Sequence, residues 1–177
     1  YELINRSLKV TFTTKNTDTK TLAAAMGHHP GYRCPFNEGE RFEDYHLEFE
    51  CPETISRVMR KNGFGIRKLQ DYVVDTNILP LKHEMFKEAV ILKMNGRSNW
   101  VKLKSDRHLT EIKVDFTAYP YLCLWTSADP APYLCIEPWN GLPSNIGEDR
   151  DIMKREHMTY VEPGESYCIS YTVEVKE

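Results

Sequence analysis

The sequence predicts an all-β fold of the sandwich class. Apolar and polar residues alternate with period two along much of the chain, which is the pattern of half-buried strands. Prolines and turn-forming residues separate these segments at spacings of roughly ten residues, as in β-sandwiches and barrels. The chain has 177 residues, enough for one filled core, so we expect a single domain over 1–177.

Alternation is clearest in four segments. In the first, Leu8, Val10 and Phe12 share one face, with lysine and threonine on the other. The apolar positions of the other three are Tyr45, Leu47 and Phe49; Ile112, Val114 and Phe116; and Tyr167, Ile169, Tyr171 and Val173. We expect each segment to be a strand with one solvent-facing side.

The connections are predicted from turn chemistry and from the weakness of helical periodicity. Asn95-Gly96 lies between two apolar runs, and we expect a hairpin there because this dipeptide tolerates positive φ angles. Short helical turns are candidates at 53–59 and 83–87, and the charged stretch 147–157 favours a solvated loop with a helical turn.

Composition and charge exclude several classes of function. The net charge is −3 and the basic residues are scattered, so nucleic acid is not an expected partner. No apolar run approaches the roughly 18 to 20 residues of a membrane helix. The five cysteines are an odd number without a CxxC pair, which favours reduced thiols, a cytoplasmic location and no zinc knuckle.

Two adjacent histidines interrupt the alternation at "AAAMGHHPGYRCPF". Alternation sends His28 and His29 to opposite faces, so only one imidazole can face a given pocket. Pro30 holds His29 in an extended conformation because the proline ring clashes with helical geometry at the preceding residue. A hydrogen-bonded structural histidine is the alternative to a catalytic one, and a metal site of His28, His29 and a glutamate is disfavoured because the two imidazoles diverge.

A carboxylate ends a hydrophobic strand at "APYLCIEPWNGLP". Tyr133, Cys135 and Glu137 share one face there, and burial would raise the proton affinity of Glu137, which suits a general base. A solvated carboxylate at a strand end is the alternative. Trp139 and Trp125 offer flat apolar faces on which a sugar ring could stack, or they belong to the core.

These elements, in their order along the chain, resemble the aldose 1-epimerase (galactose mutarotase-like) family. The likeness rests on Gly-x-His-Pro around His29, on Cys-Ile-Glu-Pro-Trp around Glu137, and on the "ILPLKHEMF" and "YVEPGESYCISYTVEV" segments. The branch that it resembles most is that of the aldose-epimerase-like proteins encoded in lactose operons. The resemblance implies a large β-sandwich, often called a supersandwich.

The resemblance also implies an activity and its residues. Members interconvert the α and β anomers of a free aldose without a cofactor. By this likeness His29 is the general acid that protonates the ring oxygen, and Glu137 is the general base that takes the anomeric hydroxyl proton. Glu88 stands near the place of an acidic residue that binds sugar hydroxyls, and His83 and Trp139 are candidates for the pocket wall.

The likeness covers about the last three-fifths of a family member. We therefore expect an N-terminal portion, carrying further sugar-binding groups, to accompany this chain, which opens without methionine at Tyr1. Three other functions stay open: a non-catalytic carbohydrate-binding protein, a sugar-phosphate mutarotase, for which cations such as Arg33 are too few, and a truncated product without activity of its own.

Overall fold

The fold is built almost entirely from strands, as the sequence predicts. The structure is a computed structural model that describes residues 1–127, 129 and 131–176. Within these residues the strands are β1 (Glu2–Ile4), β2 (Ser7–Lys15), β3 (Leu22–Ala24), β4 (Gly31–Arg33), β5 (Tyr45–Lys61), β6 (Phe64–Pro80), β7 (Val90–Lys93), β8 (Trp100–Ser105), β9 (Glu111–Asp115), β10 (Tyr121–Trp125), β11 (Tyr133–Trp139), β12 (Thr159–Val161) and β13 (Ser166–Lys176). Short 3-10 helices occupy Phe42–Asp44, His83–Lys87 and Ile152–Lys154. In the described part of the chain, no helix has the length and hydrophobicity of a membrane span.

One large sheet divides into two branches at the long strand β5. The first half of β5 pairs with β8, and its second half pairs with β7. The first branch continues from β8 through β9, β13, β2 and β1, and the second continues from β7 through β10, β11 and β4. Strand β6 pairs with β5 along its other edge. A separate two-stranded sheet joins β3 to β12.

The main hydrophobic core joins the two branches. Val114 and Ile169 enter it from the first branch, and Leu122 and Ile136 enter it from the second. Since both branches contribute to one cluster, the sheet curls and its branches form the layers of a sandwich. The all-β sandwich prediction is confirmed.

Strands β7, β10 and β11 of the second branch are buried on both faces along most of their length. Tyr121 and Cys123 alternate with core residues along β10 and form a smaller cluster with Ile91 of β7. Cys123 pairs in register with Glu137 of β11, so Glu137 lies on this second face, away from the main core. Both faces of these strands are shielded from water, which is why their sequences are apolar almost throughout.

The predicted hairpin at Asn95-Gly96 is wrong. Strands β7 and β8, on either side of it, both pair with β5 rather than with each other. Gly96 has a φ of +79°, and the Asn95 side chain accepts a hydrogen bond from the Arg97 N–H at 3.0 Å. The turn therefore moves the chain from one branch to the other without reversing it.

A tight hairpin forms instead at Asn62-Gly63. These residues have φ angles of +52° and +83°, and they connect β5 to β6 immediately beyond the Lys61–Phe64 pair. Positive φ at both central residues is the type I′ geometry that Asn-Gly favours. Asn62-Gly63 thus forms the hairpin that was expected of Asn95-Gly96.

The helical expectations are partly confirmed. The segment 53–59 is not helical but lies inside β5, where Glu53 and Ile55 are buried on alternate positions. The turn expected at 83–87 is present as His83–Lys87, and the loop 147–157 contains the turn Ile152–Lys154. The β-branched residues Thr54, Ile55 and Val58 favour the extended conformation in the first case.

Candidate active site

Antiparallel pairing places His29 directly opposite Glu137. The segment before β4 runs along β11, and two pairs bracket the histidine: Gly27 with Trp139, and Gly31 with Cys135. His29 lies midway between the two glycines, and Glu137 lies midway between their partners. The two motifs, 27–30 and 135–139, therefore lie side by side in the sheet, and the side chains of His29 and Glu137 share one face.

Prolines interrupt the hydrogen-bond ladder on both sides of this pair. The His28 N–H donates to the Pro138 carbonyl at 3.1 Å, but Pro138 has no N–H to return. The Trp139 indole Nε1–H donates to the His28 carbonyl at 3.2 Å in its place. Because His28 and Pro138 form a hydrogen-bonding position, His29 and Glu137 form a non-hydrogen-bonded position, where side chains approach more closely.

The two imidazoles lie on opposite faces, as alternation predicts. His28 is 3% exposed; its ring lies 4.3 Å from that of Phe12 and 4.6 Å from that of Tyr171, and its Nε2 is 2.5 Å from the Tyr119 hydroxyl. Burial lowers the pKa of His28. This histidine is part of the core.

His29 faces the carboxylate. Its Nε2 lies 3.3 Å from Oε1 of Glu137, and its side chain is 61% exposed whereas that of Glu137 is 1% exposed. The Trp125 ring stands edge-on to the imidazole, with the centroids 5.8 Å apart. One partner of the pair is open to solvent and the other is enclosed.

The enclosure of Glu137 alters its acidity. Neither carboxylate oxygen accepts a hydrogen bond from the described residues. Burial raises the pKa of this carboxyl from 4.5 to about 7. The nearby Trp139 indole N–H lowers this pKa in part, although the indole donates its hydrogen bond to the His28 carbonyl. A carboxylate of this acidity can accept a proton near neutral pH.

Two thiols flank Glu137 on the same face. Cys135 precedes it by two residues on β11, and Cys123 is its partner on β10. Burial, with the added effect of the Glu137 charge, raises the pKa of Cys135 to about 11. Burial and the same charge raise the pKa of Cys123, and the Arg60 guanidinium counteracts them. Both thiols are neutral at physiological pH.

The remaining predicted site residues occupy different surroundings. Trp139 packs over Gly27, where an added Cβ would come within 2.7 Å of its Cδ1. His83 lies 3.0 Å from a Glu43 carboxylate oxygen through Nδ1, and its ring is 4.2 Å from that of Phe42. The structure thus brings Trp139 to the His29–Glu137 pair and engages His83 elsewhere.

Glu88 is exposed and lines a cavity of about 330 Å³ beside β5 and β7. Arg57, Arg60, Lys87 and Tyr72 line the same cavity. Sequence reasoning missed the two arginines because the segment 53–59, which contains Arg57 and ends just before Arg60, was interpreted as a helical turn. Their spacing in "SRVMRKNG" becomes informative only when β5 is known to adjoin β7.

Comparison with known proteins identifies the relatives of this fold. No protein-family model matches the chain. The chromosomal form of protein LacX from Lactococcus lactis subsp. lactis is 31% identical over 179 residues, covering 99% of this chain and 60% of LacX. A galactose mutarotase related enzyme from Lactobacillus acidophilus superposes with a TM-score of 0.93 at 25% identity, covering 100% of this chain and 60% of that one. The chain is similar over its whole length to galactose mutarotase-like proteins.

A second solved structure shows the same similarity. A galactose mutarotase-like protein from Lactobacillus casei has a TM-score of 0.89 and 29% identity, covering 99% of this chain and 61% of that one. The resemblance predicted from the two motifs is confirmed. The chain spans 60% of the length of the LacX relatives that it matches.

Proposed function

We propose that this chain carries the acid–base pair of an aldose 1-epimerase, a mutarotase that interconverts the α and β anomers of a free hexose. Glu137 takes the proton from the anomeric hydroxyl while His29 delivers a proton to the ring oxygen. The bond between the anomeric carbon and the ring oxygen breaks, and the open-chain aldehyde forms. Rotation about the adjacent carbon–carbon bond, followed by closure with the proton transfers reversed, gives the other anomer.

The observation that carries this proposal is the 3.3 Å separation of His29 Nε2 and Glu137 Oε1. In a cyclic hemiacetal the ring oxygen and the hydroxyl are bonded to the same carbon, so their acid and base must stand close together. A cross-strand pair at a non-hydrogen-bonded position meets this requirement. Both side chains are held by backbone pairing rather than by a long loop.

The acidity of Glu137 supports its role as the base. Its pKa of about 7 lies near the pH at which a cytoplasmic enzyme would work, where general acid–base catalysis is most efficient. Its oxygens accept no hydrogen bond from the described residues, so they keep the capacity to accept one from a hydroxyl. Positioned proton transfer contributes on the order of 10² to 10⁴ in rate, which suits a reaction that already proceeds in water.

The aromatic residues around the pair support a sugar as the substrate. Trp125 stands beside His29, and Tyr133 lies next to Trp125 with ring centroids 5.9 Å apart. Half-buried aromatic rings beside a polar pair provide apolar surface for the C–H faces of a pyranose. Glu88, in the neighbouring cavity, is proposed as a partner for sugar hydroxyls.

The test is the rate of mutarotation of freshly dissolved α-glucose and α-galactose, followed by polarimetry with the protein and with a buffer blank. We expect equilibration faster than the blank for at least one hexose. The enzyme proposal would be overturned if, for each of the two sugars, the rate with protein equalled the rate of the buffer blank. Saturable shifts of sugar resonances in proton NMR under those conditions would instead identify a non-catalytic carbohydrate-binding protein.

The cavity beside β5 favours a second candidate, a mutarotase acting on sugar phosphates. Arg57, Arg60 and Lys87 supply three cations there, which is the chemistry that recognises a phosphate. Glu84 and Glu88 line the same cavity and oppose a bound anion. The same assay with glucose 6-phosphate decides between the two, because a phosphate site would give a higher kcat/KM for the phosphorylated sugar.

A further inference from the structure

Three metal-binding groups of different chemistry meet on the face that carries the acid–base pair. One donor atom each from His29, Cys135 and Glu137 lies within 4.8 Å of the other two. The set is an imidazole nitrogen, a thiol sulfur and a carboxylate oxygen. It differs from the His28–His29–glutamate set that strand alternation disfavours, because the thiol and the carboxylate are two residues apart on one strand and share a face.

The spacing of the donors fits a tetrahedral ion. With usual zinc–nitrogen and zinc–oxygen distances and a tetrahedral angle, two such ligand atoms are about 3.3 Å apart. His29 Nε2 and Glu137 Oε1 are separated by 3.3 Å before any ion is present. A sulfur ligand of the same ion stands about 3.6 Å from the other ligand atoms, so the Cys135 sulfur, within 4.8 Å of both, needs to approach them by no more than about 1.2 Å.

The surroundings add a second reason for a cation. Glu137 is 1% exposed, and both of its oxygens lack a hydrogen-bond partner among the described residues. A buried carboxylate in that state is costly, and a coordinated cation removes the cost. Gly31, opposite Cys135, has no side chain to cover the thiol, and a Cβ there would lie 3.6 Å from its sulfur.

We propose that His29, Cys135 and Glu137 form a binding site for a divalent transition-metal ion of the zinc type, and that occupancy inhibits the enzyme. A thiolate and an imidazole select borderline or soft ions over Mg²⁺ and Ca²⁺. On binding, the Cys135 thiol transfers its proton to solvent and its sulfur bonds to the ion. The exposed side of His29 leaves a fourth position for water.

Inhibition follows from the use of the same lone pairs. An ion bound to His29 Nε2 and to Glu137 occupies the atoms that would give and take protons. This part of the proposal rests on the proposed mutarotase function, whereas metal binding itself does not. The site is therefore one at which zinc and an aldose exclude each other.

The test uses the full chain, stripped of metal, with Zn²⁺ in calorimetric titration and Co²⁺ in absorption spectroscopy. We expect one ion per chain and a thiolate-to-cobalt charge-transfer band in the near ultraviolet. Cys135→Ser should remove the band and weaken Zn²⁺ binding by about tenfold or more. His29→Asn, at an exposed position where folding is not at risk, should weaken binding by a similar factor. His28→Asn and Cys168→Ser are the matched controls and should retain the band.

Several outcomes would overturn the metal site. They are a band that persists in Cys135→Ser, a band lost in Cys168→Ser, unchanged Zn²⁺ affinity in His29→Asn, or Mg²⁺ binding equal to that of Zn²⁺. Polarimetry in the presence of Zn²⁺ separates this proposal from the proposed function. If one Zn²⁺ binds per chain and no mutarotase activity is found, only the enzyme proposal is overturned. If the mutarotase activity is the same with and without Zn²⁺, only the inhibitory site is overturned.

Discussion

His29 and Glu137 oppose each other across two antiparallel segments, with Nε2 and Oε1 3.3 Å apart. Their backbones meet at a non-hydrogen-bonded position, between a ladder bond from His28 and the pairing of Gly31 with Cys135. An acid and a base therefore share one small region of one sheet face.

Glu137→Gln should abolish catalysis and leave the fold intact. The amide has nearly the shape of the carboxyl but cannot accept the proton, so we expect kcat for mutarotation to fall by about 10² to 10⁴. Polarimetry measures the rate, and circular dichroism verifies the fold. The proposed base would be disproved by a folded variant that keeps more than half of the wild-type kcat.

His29→Asn and His28→Asn should have separate effects. His29→Asn removes the proposed acid at an exposed position, so kcat should fall by about 10² or more while thermal stability changes little. His28→Asn removes a buried ring packed against Phe12 and Tyr171, so it should cost about 1 to 3 kcal/mol of stability and reduce kcat only a few-fold.

Rates and melting curves of both histidine variants, measured side by side, check this prediction. Equal losses of kcat in the two variants would contradict the assignment of the imidazoles to opposite functions.

Glu137 should make the stability of the protein depend on pH. Its pKa is about 7 in the folded state against 4.5 for the free side chain, so the folded protein holds the proton more tightly. The resulting stabilisation is complete below pH 4.5 and is lost as the pH rises through about 7. Glu137→Gln should therefore gain on the order of 3 kcal/mol relative to wild type between pH 4.5 and pH 8.

Urea unfolding at several pH values measures this difference. Glu148→Gln is the matched control with the opposite sign. Burial raises the pKa of Glu148, but hydrogen bonds from the backbone N–H groups of Asn145 and Glu156, with the nearby Arg155, lower it overall. That variant should lose stability towards neutral pH, and parallel curves for wild type and Glu137→Gln would refute the buried-carboxylate account.

Gly27→Ala should displace the Trp139 ring that packs over Gly27. The added Cβ would come within 2.7 Å of Trp139 Cδ1, which forces the indole away from the His28 carbonyl that it now holds. We expect a stability loss of about 1 to 3 kcal/mol and a change in tryptophan fluorescence. Gly31→Ala is the control, because its Cβ would make an ordinary 3.6 Å contact with Cys135. A loss of stability no larger than that of the control would show that the indole can move freely.

Local patterns predict much of this fold and of the candidate pair. Alternation identified β2, β9 and β13 and separated His28 from His29, since side-chain direction along a strand depends only on neighbouring residues. The hairpin prediction at Asn95-Gly96 was wrong because a turn dipeptide specifies local dihedral angles and not which strands will pair. Whether β7 and β8 meet each other or both meet β5 depends on contacts distant in sequence.

The same limit applies to the site. That Cys135 stands beside the acid–base pair follows from the pairing of β4 with β11, and that Arg60 approaches Cys123 follows from the course of β5 past β7. Neither of these two relationships can be predicted from a short segment of the sequence. The resemblance to known proteins supplied the partnership of His29 and Glu137 where spacing along the chain did not.

The bond from the Trp139 indole to the His28 carbonyl has a mechanical consequence. At an ordinary position of the ladder a peptide amide would connect the two segments, and their separation would be as rigid as the sheet. Here the Trp139 side chain, on the strand that carries Glu137, donates a hydrogen bond to the backbone of the segment that carries His29. The spacing of His29 and Glu137 therefore depends on the Trp139 side chain as well as on the bond from the His28 N–H to the Pro138 carbonyl. A substitution at Trp139 can alter that spacing while the backbone pairing of the two strands stays in place.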